Sequence, residues 1–95
     1  MPSTYPATVE FGHRVHVRRV ELRMSREQLA EASDMHPAYV GGIERGERNV
    51  TMLTVLRLAR ALDLTPGALL DGLDPDPENT TSARPRARQD RRPRG

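Results

Sequence analysis

The chain has 95 residues, with one Phe, two Tyr and no Trp, which allows one small domain whose core has to be aliphatic. The absence of cysteine excludes a disulfide framework and thiolate metal sites and fits a reducing cytoplasm. The opening MPSTYPATVE pairs no basic segment with an apolar run, and no stretch reaches about 18 apolar residues, so neither secretion nor membrane spanning is supported. A net charge of +2 does not by itself announce a polyanionic partner, but all 15 basic residues are arginine, the cation best shaped for phosphate.

In chain order, residues 1–8 are expected to be a flexible N-terminus. A first helix is predicted over 9–22, with Phe11, Val15 and Leu22 lining one face and several arginines on the other. The run Ser25–Gly46 then spells two short helices joined by a tight turn. Ser25 caps a helix over 26–33, Gln28 completes a capping box, and Leu29, Ala30 and Ala32 supply its apolar face. Ser33–Asp34 allows the turn, because a short polar side chain tolerates a left-handed conformation. Pro37 opens a helix over 37–45 with Val40 and Ile43 pointing inward, and Gly46 closes it as a left-handed cap. After a loop over 47–50, Thr51 caps a fourth helix that ends at Asp63, with Leu53, Leu56, Ala59 and Leu62 at near-helical spacing. Thr65-Pro66 opens a short fifth helix over 66–70, leaving Leu69, Leu70 and Leu73 in need of cover. The folded body is expected to span 9–73, followed by a disordered Pro/Arg-rich tail over 74–95.

These residues carry a resemblance. Met24-Ser25-Arg26-Glu27-Gln28-Leu29-Ala30, the segment Tyr39–Asn49 (YVGGIERGERN) and the opening Phe11-Gly12 with Val15 and Arg19 are similar to the signature segments of the XRE/Cro-repressor-like DNA-binding domains. The resemblance covers roughly Phe11 to Leu70. It implies an all-α, five-helix lambda-repressor-like domain with a helix-turn-helix, whose helix over 37–45 enters the major groove of double-stranded DNA.

Site residues follow from the same resemblance. Arg26 takes the place of the family's phosphate-contacting Gln at the start of the second helix, a departure that strengthens charge-driven contact. His36, Pro37, Ala38, Gly41 and Gly42 fall at the outward positions of the recognition helix, and four of these five carry no hydrogen-bonding side chain. Gly41 and Gly42 admit two readings, a packing or close-approach role and tolerated drift. Tyr39 is either an edge-of-core ring or a phosphate-binding hydroxyl. Arg45, Arg48 and Asn49 fall where the family contacts the DNA backbone, although a surface arginine can also be idle. Glu44 corresponds to the family's glutamate that pairs with a first-helix arginine, here Arg19. Leu69, Leu70 and Leu73 are the expected dimer interface.

Two function classes stand beside each other. One is a homodimeric, sequence-specific transcriptional regulator, whether a restriction-modification controller, a phage-type repressor, an antitoxin or a host regulator. The other is a protein-interaction module that keeps the helix-turn-helix scaffold with weak or no specific DNA binding, motivated by the bare recognition surface. The tail, with six Arg and one Asp over 83–95, is either solvated or a basic arm adding non-specific phosphate contacts. His13, His16 and His36 lack metal-site spacing, and no nucleophile and base stand in a catalytic pattern, so no cofactor, metal, small-molecule ligand or enzyme activity is expected.

Overall fold

The computed structural model describes residues 5–75, which form five α-helices and no strand. These are α1 (Pro6–Glu21), α2 (Arg26–Ala32), α3 (Pro37–Glu44), α4 (Met52–Ala61) and α5 (Pro66–Leu70). The terminal segments 1–4 and 76–95, including most of the expected tail, lie outside the described residues.

Helix starts follow local chemistry. The hydroxyls of Ser25, Thr51 and Thr65 accept hydrogen bonds from the backbone N–H three residues on, at 3.0, 3.2 and 3.2 Å. Pro6, Pro37 and Pro66 stand at first helical positions, where a missing N–H costs nothing. Proline thus starts α1 at Pro6 rather than at Val9, and residues 6–8 belong to the fold. The Thr8 hydroxyl accepts from Tyr5 N at 3.0 Å and lies 2.9 Å from the carbonyl of Gly46, to which it donates, tying the start of α1 to the end of α3.

Helix ends are equally regular. Arg23, Asp34 and Asp63, with φ of 59, 59 and 57°, follow the C-caps of α1, α2 and α4. In each case the next residue, Met24, Met35 or Leu64, donates its N–H back to Arg19, Ala30 or Ala59 at 2.8–3.1 Å, a Schellman closure. Those same three residues pack their side chains against the core. The residue after each is the N-cap of the next helix, so three of the four corners are the same four-residue connector.

The core draws Phe11 and Val15 from α1, Leu29 and Ala30 from α2, Val40 and Ile43 from α3, and Val55, Leu58, Ala59, Leu62 and Leu69 from the C-terminal half. Complete burial of one such leucine contributes about 1.5–3 kcal/mol. Four expectations change here. Leu22 is the exposed C-cap of α1, and Arg19 takes the buried place one turn earlier. Ala32 is exposed, and its place is taken by Ser33, whose hydroxyl donates to the Leu29 carbonyl. In α4 it is Val55, Leu58, Ala59 and Leu62 that are buried, whereas Leu53 and Leu56 are exposed: the helix is apolar on both sides, and periodicity alone cannot choose the inner one. Leu69 is fully buried, so it cannot belong to an exposed dimer face. Leu73 is half-buried against the core, and only Leu70 of the expected three is open, at 44%.

Candidate functional site

The α2–turn–α3 unit is locked at both ends. Ser25 and Gln28 form a reciprocal capping box, with Ser25 N donating to Gln28 Oε1 at 2.7 Å. Val40 and Ile43 are buried to 0% and 1% exposure, which fixes the face that α3 turns inward. Gly46, at φ +78°, closes α3, with Glu47 N bonded to the Gly42 carbonyl at 2.9 Å. Glycine is required there twice over, by the left-handed backbone and because a Cβ would lie 2.8 Å from Val9 Cα.

The side chain of Glu44, the last residue of α3, is 4% exposed and meets Arg19 and His16 of α1 and Arg26 of α2. Arg19 of α1 grips it in a fork, Nε to Oε2 at 2.6 Å and Nη2 to Oε1 at 3.1 Å, while donating Nη1 to the Met24 carbonyl at 2.7 Å. His16 Nδ1 lies 3.1 Å from Oε1, and Arg26 Nε of α2 donates to the same oxygen at 3.2 Å. Burial pushes the Glu44 carboxyl up, but the hydrogen bonds from Arg19 and His16 and the charges of Arg19 and Arg26 outweigh it and hold the group below the usual carboxylate range. The Glu44 hydrogen bond in turn raises the Arg19 guanidinium above its ordinary value. His16 and Arg26 were not foreseen as partners of this carboxylate; His16, one turn before Arg19 on α1, was the available signal.

The outward side of α3 differs from expectation. His36, Pro37 and Ala38 are exposed, and His36 caps α3 without a side-chain bond. Gly41 and Gly42 are buried, not bare. The side chains of Arg26 and Arg45 lie over Gly41, and the stem of Arg48 lies over Gly42. Those arginines come from the start of α2, the α3 C-cap and the loop beyond, so a helical wheel of α3 cannot reveal the cover. Arg48 also stacks its guanidinium on the half-buried Tyr39 ring, 5.4 Å from the centroid. Arg45 pairs with Glu47 at 3.0 Å in the open, and Asn49 is exposed. The result is a shallow cleft lined by Ser25, Arg26, Pro37, Ala38, Gly41 and Arg45. Glu27 lines it too, but Arg19, Arg26 and Arg45 outnumber that carboxylate, and the resulting positive charge suits an anionic ligand.

The remaining arginines of α1 serve the scaffold. Arg18 donates to the Leu62 carbonyl at 2.9 Å and Arg14 to the Leu69 carbonyl at 3.2 Å, satisfying the ends of α4 and α5. Gly12, which sequence reasoning left without a packing role, sits where α1 meets α3: a Cβ would lie 2.1 Å from the Ile43 carbonyl oxygen. On α4, Met52, Leu53 and Leu56 are 77, 53 and 43% exposed.

The Helix-turn-helix family profile matches residues 16–69. Control protein C.SmaI of Serratia marcescens is 51% identical over 47 residues, covering 50% of this chain and 56% of that protein, so the chain spans little more than half the length of this relative. Among solved structures, the restriction-modification controller protein C.AhdI from Aeromonas hydrophila is 45% identical with a TM-score of 0.67, covering 68% of this chain and 98% of that one. The master regulator for biofilm formation SinR, solved in complex with DNA, is 29% identical with a TM-score of 0.62, over 64% of this chain and 98% of that one.

Proposed function

This chain belongs to the helix-turn-helix family, and on that premise we propose that it is a DNA-binding transcription regulator of the restriction-modification controller kind, working as a homodimer on double-stranded DNA. The observation that carries the reading is the arginine-covered outer side of α3, where Arg26, Arg45 and Arg48 flank the exposed His36, Pro37 and Ala38. Guanidinium groups supply affinity through phosphates, and α3 brings them to the groove. Tyr39 orients Arg48 from behind, and Asn49 extends the contact along the backbone. Identity to C.AhdI over nearly all of that protein supports the controller assignment.

One helix-turn-helix covers little DNA, so a second subunit reading a symmetry-related half-site completes the operator. Val9, Val17, Val20 and Leu22 are exposed on α1 and its cap, but Met52, Leu53 and Leu56 of α4 and Leu70 of α5 are the exposed apolar side chains we assign to that contact. They replace the expected Leu69–Leu70–Leu73 face, of which Leu69 is core.

Selection from a random duplex pool tests the reading. A defined operator should be enriched, with log affinity falling steeply against log salt, and Arg48→Ala should flatten that slope by about 0.9. Sedimentation should give a dimer at micromolar concentration, and Leu56→Glu a monomer of unchanged melting temperature with weaker operator binding. A pool that yields no preferred sequence would instead support the protein-interaction module.

A further inference from the structure

Two adjacent glycines in the middle of an eight-residue helix work against its formation. The backbone does not demand them, because α3 is an ordinary α-helix at both positions. What occupies the missing side-chain space is arginine from elsewhere. A Cβ on Gly41 would lie 3.1 Å from Arg45 Nη1 and 3.9 Å from Arg26 Cδ, and one on Gly42 would lie 3.2 Å from both Cγ and Nε of Arg48. All three arginines are also held at the head, Arg26 by Glu44, Arg45 by Glu47 and Arg48 by the Tyr39 ring.

We propose that Gly41 and Gly42 are positioning residues for the DNA contact: they form a side-chain-free track on which Arg26, Arg45 and Arg48 lie across the outer side of α3. The recognition helix therefore meets its ligand with guanidinium groups borrowed from neighbouring segments. This rests on the DNA-binding reading above. A long side chain already ordered before binding loses less freedom when it binds, and a methyl group at position 42 lifts the Arg48 stem and with it the stack on Tyr39.

The test is a cycle of Gly42→Ala, Arg48→Ala and the double variant in the full chain, measured on the selected operator. The wild-type protein comes first: if it binds no operator, the DNA-binding reading fails and the inference with it. Given binding, Gly42→Ala should melt no lower than the wild type, the gain in helix propensity being set against the lost Arg48 stack on Tyr39, yet bind about two- to tenfold more weakly. In the Arg48→Ala background the same substitution should leave affinity unchanged. The Arg48 Nε–H resonance, distinct in the wild-type protein, should move to the position of a free arginine in Gly42→Ala. Unchanged affinity in the single variant, or an equal loss with and without Arg48, would overturn the assignment; the latter would make Gly42 a site of close backbone approach. If Gly42→Ala does not fold, Gly41→Ala with Arg45→Ala runs the same cycle, since there the one tight contact of the methyl is with the far end of Arg45, Arg26 Cδ lying at an ordinary 3.9 Å.

Discussion

Where α1 crosses α3, the shared core of Phe11, Val15, Val40 and Ile43 is joined by contacts of backbone and charge: Gly12 against the Ile43 carbonyl, Thr8 against the Gly46 carbonyl, Arg19 and His16 on Glu44. Where α4 and α5 join the body, Val55, Leu58, Leu62 and Leu69 carry the contact, and the directional bonds, from Arg18 and Arg14 to the Leu62 and Leu69 carbonyls, involve no buried charge pair. The difference follows from the helices themselves. An eight-residue helix with two central glycines is far too short and weak to stand on its own propensity, so α3 is held from outside by directional contacts. The ten residues of α4, rich in leucine and alanine, are seated chiefly by apolar burial. The recognition helix is thereby fixed in orientation, which is what groove reading demands, while α4 and α5 are free to carry extra apolar surface.

The comparison can be broken first at Glu44. Its removal leaves the buried Arg19 with the Met24 carbonyl but without a counter-charge, so Glu44→Ala should cost about 3–5 kcal/mol in urea unfolding. A loss under about 1 kcal/mol would mean that the cluster is worth no more than an exposed pair. Acid separates the two regions further. Because the folded carboxyl titrates below its usual range, its contribution is complete above that range and is lost as pH falls through the depressed folded value. The acid limb of stability should therefore flatten in Glu44→Ala. It should persist in Leu58→Ala, which loses about 2–5 kcal/mol at every pH.

A methyl at Gly12 probes the same junction without touching charge. Gly12→Ala pushes backbone against backbone and should cost about 1–3 kcal/mol or more, whereas Gly67→Ala on α5, where the nearest atom is 3.9 Å from a Cβ, should be neutral or stabilising. Equal effects would dissolve the contrast. The smallest expected change is a gain: Arg23 holds a left-handed conformation that suits glycine better, and Arg23→Gly should add about 0.5–1 kcal/mol, read as a rise in the urea midpoint.

Much of the fold was legible because helix limits are local. Ser25, Thr51 and Thr65 cap, Pro37 and Pro66 start helices, and Asp34 and Gly46 reverse the chain, each acting on backbone within a few residues of itself. The inner side of α4 was not legible, since Leu53 and Leu56 compete with Val55 and Leu58 and only the packing of α5 and α2 decides. At the site, Arg19 and Glu44 came from the family resemblance, but the fourfold gathering of His16, Arg19, Arg26 and Glu44 depends on how three helices cross. The cover over Gly41 and Gly42 depends on arginines that fold back from other segments. No periodicity within α3 encodes them.

Three of the corners, Leu22–Ser25, Ser33–His36 and Leu62–Thr65, share one construction: a cap, a left-handed residue, an apolar anchor and the next cap. Such a corner has no slack. One inserted residue would pull Met24, Met35 or Leu64 out of register with the core and rotate the following helix by about 100°. The α3–α4 connection is built otherwise, with the exposed Glu47 in the anchor's position and Arg48 and Asn49 beyond it. Changes of length in this molecule are thus channelled to a single stretch, and that stretch carries arginine side chains laid over the recognition helix. On the DNA-binding reading proposed above, an insertion or deletion placed in this stretch would spare the frame and change the surface that meets the ligand.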